Sequence, residues 1–165
     1  MVNIFIGIVI AIIGISVFWL VKQLPLTIKV KYLNDVPELK RIKQGDWVDL
    51  YLYEDVSMVK GEISVFSLGL SMKLPRNYEA IMAPRSSTIL KHKVMVGNSI
   101  GIIDNSYNGD DDVWGIILYA LDNTFIPKGT RIAQFRVIKN QPKLKFISVE
   151  SLLSVSRGGM GSTGD

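Results

Sequence analysis

Seven short segments rich in β-branched and aromatic residues constrain most of what this chain can fold into. They are TIKVKYL (27–33), DWVDLYLY (46–53), ISVFSLGLSMKL (63–74), YEAIMAP (78–84), KVMVG (93–97), WGIILYAL (114–121) and RIAQFRVI (131–138), with Gly, Pro, Asn and Asp between them. Many alternate apolar with polar positions, the pattern of strands that bury one face and wet the other. Only VESLLSV (149–155) offers a helical turn or two. This spacing predicts an all-β sandwich or jelly roll of about 140 residues.

One stretch stands outside that pattern. Residues 2–21, VNIFIGIVIAIIGISVFWLV, hold no charge and only Asn3 and Ser16 as polar side chains. As a helix they would rise about 30 Å, the thickness of a bilayer's hydrocarbon core. A buried soluble helix would show one polar face, and this segment is apolar all round. A cleaved signal peptide would need basic residues before the run and small residues at a cleavage site after it, and neither is present. The expected organisation is a single transmembrane α-helix over residues 1–23, a β domain over 24–155 and a flexible glycine-rich arm over 156–165. Lys22, Lys29, Lys31, Lys40, Arg41 and Lys43 follow the apolar run, which points the domain to the cytoplasmic side of the cell membrane. The absence of cysteine agrees with that side. A net charge of +4 and a pI near 9.3 raise the question of nucleic acid. The lysines are spread along the chain, however, and the basic cluster nearest the apolar run suits anionic lipid head groups, so nucleic acid is not an expected partner.

Four polar constellations sit on this scaffold. APRSST (83–88) follows a strand, and Pro84 ends pairing there. Arg85, Ser86 and Ser87 then offer a guanidinium, two hydroxyls and backbone N–H groups suited to a phosphate. KGTRIAQF (128–135) carries Arg131 and Gln134, which strict alternation places on opposite faces, so at most one would enter a given pocket. The tail SRGGMGSTGD (156–165) is no P-loop, because no Lys precedes Ser162 and no helix can follow. Its Arg157 and glycine-flanked hydroxyls could still close over a phosphate. GNSIGIIDNSYNGDDD (97–112) sets Asp104 directly after a strand-like run with Tyr107 three residues on. By itself this is either a solvated hairpin or a pocket.

Taken in order, GDWVDLYLYED, APRSST, GNSIGIIDNSYNGDDD, KGTRIAQF and RGGMGSTG resemble the five motifs of the trimeric dUTP diphosphatases. The resemblance spans residues 27–164 and is nearest to the short enzymes of Gram-positive bacteria and their phages. It implies a dUTPase-like jelly roll (β-clip) that forms a homotrimer with shared active sites. It also implies hydrolysis of dUTP to dUMP and pyrophosphate with Mg²⁺. In the third motif the backbone, Gly101 and Ile103 included, would read the uracil edge with help from Asn98. Tyr107 would cover the deoxyribose, and Asp104 would activate the attacking water. Arg85, Ser86, Ser87 and Gln134 match phosphate-facing positions, and Asp49 matches the carboxylate linked to Mg²⁺ through water. Arg157, Met160, Gly161, Ser162 and Thr163 match the arm of one subunit that closes over another's pocket.

The chain departs from the family pattern at the arm, which is two residues shorter than the commoner form and has Met160 where most members carry a uracil-stacking Phe. Trp114 is the nearest aromatic that could substitute, against the alternative of a strand core residue. His92, the only histidine, is expected on a strand or loop surface and makes no metal site alone. Two rival functions remain. A dCTP deaminase of the same fold would carry glutamate at Asp104. A membrane-tethered trimeric nucleotide-binding or regulatory protein would keep the fold with turnover reduced or lost.

Overall fold

Among the described residues strand β11 (Arg131–Lys139) is the longest element, and its apolar residues organise the core. The computed structural model describes residues 25–156 and Gly158. The anchor expected over residues 1–23 lies outside the described residues, as do Arg157, Met160, Gly161, Ser162 and Thr163 of the arm. Around β11 runs an antiparallel four-stranded sheet ordered β2 (Val48–Tyr51), β11, β6 (Tyr78–Pro84), β8 (Gly101–Ile103). A second sheet is ordered β4 (Ile63–Ser67), β9 (Gly115–Ala120), β7 (Val94–Val96). Two strand pairs complete the fold: β1 (Lys29–Tyr32) with β5 (Leu70–Lys73), and β3 (Val56–Met58) with β10 (Thr124–Ile126). The all-β expectation holds. Among the described residues no helix is long and apolar enough to cross a membrane.

Leu50, Leu52, Leu68, Leu70, Ile116, Leu118, Ile126 and Ile132 are fully buried in one continuous cluster. Trp114 belongs to it, 1% exposed and edge-on to Phe135 at 5.3 Å between ring centroids. It is therefore a core residue and cannot stack on a base. Its indole N–H is buried without a hydrogen-bond partner among the described residues.

Several expectations are corrected. ISVFSLGLSMKL is not one strand. Gly69 takes φ +69, and a Cβ there would meet Val36 and Tyr53 at 2.5 and 2.7 Å, so the chain breaks and sends β4 and β5 to different sheets. The short strands β3 and β10 were not marked by any expected segment. Residues 149–155 form no helix: Leu152, Leu153 and Val155 are almost wholly exposed, with no surface on which a helical face could be buried. The only helix among the described residues is instead α1 (Thr88–His92), one turn that begins at the last residue of APRSST. Thr88 is buried and its Oγ1 donates to the Ile132 carbonyl at 2.8 Å, which fastens the turn to β11. His92 ends that helix half-buried, with its pKa lowered by burial and by Lys91, and is neither on a strand nor on a loop.

Candidate active site

Strand β11 contains a register shift between Arg131 and Ala133. Ile132 and Ala133 are both buried, so alternation is broken and restarts one residue late. Arg131 and Gln134 consequently emerge on the same face, which corrects the expectation from strict alternation. Both meet Asp49 on the adjacent strand β2, where Gln134 and Asp49 are cross-strand partners. Asp49 is 13% exposed and holds two guanidinium groups at once. Arg85 Nε lies 2.8 Å from its Oδ1 in an ion pair, and Arg131 Nη1 donates to its Oδ2 at 3.1 Å. Gln134 Nε2 donates to the Pro84 carbonyl at 3.2 Å, tying the end of β6 to the same cluster.

The chemistry of this cluster is anion binding. Asp49 takes a hydrogen bond from Arg131 and an ion pair from Arg85, and the remaining N–H groups of both guanidiniums are available to a phosphate. Ser86 is exposed beside them, and Ser87 precedes the first turn of α1. Arg85, Ser86, Ile89, Val96 and Ser99 line a pocket of about 420 Å³ next to the exposed Asn98. Arg131 is the residue that the sequence reading left out of the site. Its signal was the apolar pair Ile132–Ala133 where one apolar residue was expected.

The second half of the candidate site is built from the turn after β8. Tyr107 N–H donates to the Asp104 carbonyl at 3.1 Å, closing the turn. The Asp104 carboxylate is exposed, and its Oδ1 accepts from the Ser106 hydroxyl at 2.6 Å and from the Ser106 N–H at 2.7 Å. These two bonds, the hydroxyl's first, hold the Asp104 pKa below its ordinary value. Oδ2 has no hydrogen-bond partner among the described residues and faces solvent. The geometry is that of an ionised base with one oxygen fixed and the other open. Tyr107 is 43% exposed, with its hydroxyl donating to the Val113 carbonyl at 3.2 Å. Gly101 is buried, and a Cβ there would meet the Met82 methyl at 2.7 Å, so a larger residue would make that flexible side chain shift.

One chain does not bring the two halves together. Ile103 pairs with Ala80 near the start of β6, whereas Arg85 lies just beyond its other end. At roughly 3.4 Å per residue the two groups stand on the order of 17 Å apart along the strand.

Among the described residues no three His, Cys, Asp or Glu side chains gather as a metal cage. That suits Mg²⁺, which keeps several waters and binds through one or two carboxylates together with substrate phosphates. Asp49 fits a contact through water, since its two carboxylate oxygens offer more acceptor positions than the two arginines use.

The chain is similar to known proteins over most of its length. The family profile described as dUTPase matches residues 40–164. The SPbeta prophage-derived deoxyuridine 5'-triphosphate nucleotidohydrolase of Bacillus subtilis strain 168 is 47% identical over 138 residues, covering 83% of this chain and 97% of that protein. Among solved structures, the dUTPase of Staphylococcus bacteriophage 80alpha with dUPNHPP superposes with a TM-score of 0.69. It is 26% identical, with 84% of this chain and 99% of that one covered. A dUTPase mutant from phage phi11 of S. aureus, in which a structural Mg(II) ion is coordinated, has the same fold at a TM-score of 0.65. It is 20% identical, with 76% and 98% covered.

Proposed function

The chain belongs to the dUTPase family, and from that premise we propose that it hydrolyses dUTP to dUMP and pyrophosphate at sites completed between its own copies. The observation that carries the reading is Asp104, ionised, with Oδ1 held by Ser106 and Oδ2 open. Water placed against Oδ2 gives up a proton as it attacks the α-phosphorus. The bond to the β-phosphate oxygen then breaks and pyrophosphate leaves. Charge on the phosphates is met by the Ser86 hydroxyl and by the remaining N–H groups of Arg85 and Arg131, whose guanidiniums Asp49 holds before substrate arrives. Asp49 would hold Mg²⁺ through water, and the ion would supply further charge neutralisation. Tyr107 covers the sugar, Asn98 and the Gly101–Ile103 backbone hold uracil, and Gln134 and Ser87 complete the phosphate side. Arg157, Met160, Gly161, Ser162 and Thr163 close the pocket.

A homotrimer is part of this reading. The distance along β6 requires a second copy to bring Asp104 to an Arg85 cluster. Residues 140–156 also extend with Leu144, Phe146, Ile147, Leu152, Leu153 and Val155 exposed, the pattern of a segment covered by another copy. The membrane anchor at residues 1–23, with the domain on the cytoplasmic side, is supported by the uncharged run and the lysines after it. The curated relative is matched nearly end to end by 83% of this chain, so a segment about the length of that run is left over.

Pyrophosphate release from dUTP by the full-length protein, with dCTP and ammonia detection as the control, tests the function. Ammonia from dCTP without pyrophosphate from dUTP would refute it. Carbonate-washed membranes test the anchor, because an electrostatic attachment through the lysines would be lost as salt screens it.

A further inference from the structure

The loop between Asp104 and Trp114 is tied at three places to strands β1 and β5 and to the residues directly after β5. At its start, Asn105 Nδ2 donates to the Leu74 and Pro75 carbonyls at 3.1 and 2.9 Å. At its end, the Trp114 N–H donates to the Leu70 carbonyl at 2.8 Å. The middle tie is of another kind. Lys31 Nζ donates to the Asp110 carbonyl at 3.0 Å, and the Ser71 hydroxyl donates to the same carbonyl at 3.2 Å. Lys31 and Ser71 are cross-strand partners on β1 and β5, so two neighbouring donors converge on one backbone oxygen. The ammonium also lies 4.0 Å from Asp110 Oδ2 and 3.8 Å from Asp111 Oδ1. Both carboxylates are in open solvent, where such pairs contribute little. The bond to the carbonyl is the stronger contact because it is charge-assisted and shares its acceptor with a buried hydroxyl.

We propose that Lys31, with Ser71 beneath it, is a positioning residue that clamps the tip of this loop and so holds Tyr107 at the sugar. The connection from tip to ring is short. Val113, whose carbonyl receives the Tyr107 hydroxyl, is tied to the tip by its own N–H donating to the Asp111 carbonyl at 2.9 Å. Within the tip, Gly109 N–H donates to Asp112 Oδ2 at 2.7 Å, and a Cβ on Gly109 would come within 2.9 Å of that oxygen. The tip is thus one compact unit whose outside anchor is the Asp110 carbonyl. Releasing that anchor leaves the two ends tied and lets the tip swing, and the Val113 acceptor moves with it. Lys31 touches neither substrate nor reacting atoms in this account. Its effect on sugar selection rests on the proposed placement of Tyr107.

The test uses the full-length chain with Lys31→Met, Lys31→Arg, Ser71→Ala and Tyr107→Ala. Lys31 is exposed, so its replacement leaves the core intact. Amide hydrogen exchange over residues 106–113 reads the clamp directly. Exchange there should rise in Lys31→Met and Ser71→Ala and return toward wild type in Lys31→Arg, with β9 and β11 unchanged. In Lys31→Met the KM for dUTP should rise about fivefold, the size of one net hydrogen bond, and the preference for dUTP over UTP should narrow by a similar factor with kcat nearly constant. Unchanged exchange in Lys31→Met overturns the clamp. Faster exchange without a change in sugar preference, while Tyr107→Ala does change it, overturns the specificity role. If Tyr107→Ala itself leaves the preference unchanged, the placement of Tyr107 at the sugar is what has failed, and exchange alone still decides the clamp.

Discussion

The two ends of strand β6 carry opposite kinds of site. Beyond Pro84, Arg85 joins Asp49, Arg131 and Gln134 in a charge cluster drawn from two strands and the segment after a third. Near Ala80, the turn after β8 presents Asp104 and Tyr107 through bonds made almost entirely within ten residues of sequence. The first is rigid because two cations share one half-buried carboxylate. The second is local, exposed, and fixed from outside by β5 and Lys31. The contrast matches the tasks: charge neutralisation needs donors fixed in advance, whereas a general base needs one oxygen free to meet water.

The sharpest break between the two ends is Asp104→Asn. It removes the proton acceptor and leaves the phosphate cluster untouched, so kcat should fall on the order of a thousandfold while dUTP binding measured by calorimetry stays within a few-fold. Equal loss of binding and turnover would mean that the two ends are not separable. Asp49→Ala attacks the other end. It leaves two arginines without their shared anchor, and kcat/KM should drop roughly a hundredfold, the scale of losing one or two charge-assisted hydrogen bonds. Activity insensitive to Asp49→Ala would show that Arg85 and Arg131 are held by other means. Tyr107→Ala should raise KM for dUTP by about tenfold and narrow the preference over UTP, the scale of one well-placed side chain in a pocket. Competition kinetics with the two nucleotides measures this directly.

The same contrast explains what could be read from sequence. The Asp104 turn was legible because its residues are contiguous: GIIDNSY is both motif and structure. The Asp49 cluster was only half legible. Asp49, Arg85 and Gln134 could be named, but the face on which Arg131 lies depends on a one-residue shift in β11 that only pairing with β2 reveals. Strands β3 and β10 were missed because three-residue strands hold too little alternation to register, and each is defined by its partner. Helix α1 was missed for a similar reason, since Thr88 is held by a carbonyl 44 residues away. The Lys31 clamp spans 79 residues and had no sequence signal of its own. Trp114 was left open between core and base until its burial against Phe135 decided it.

The smallest expected effect tests how the base is tuned. Ser106 gives Asp104 two hydrogen bonds, one from its hydroxyl and one from its backbone, and both favour the ionised carboxylate and lower its pKa. Ser106→Ala removes the first and keeps the second. The folded pKa should therefore rise part of the way back toward the ordinary aspartate value. A base must be ionised to work, so kcat/KM falls as pH drops through the pKa of the free enzyme, and the acid limb of the variant should lie at higher pH than that of the wild type. At neutral pH both carboxylates are fully ionised, so the rates there should differ by no more than a few-fold, and any loss would reflect looser orientation of the carboxylate. A wild-type limb at or above the ordinary aspartate range would mean that another group limits the reaction in acid. A variant limb that does not move, beside a large loss of kcat at neutral pH, would make Ser106 an orienting residue and leave the low pKa to the backbone N–H alone.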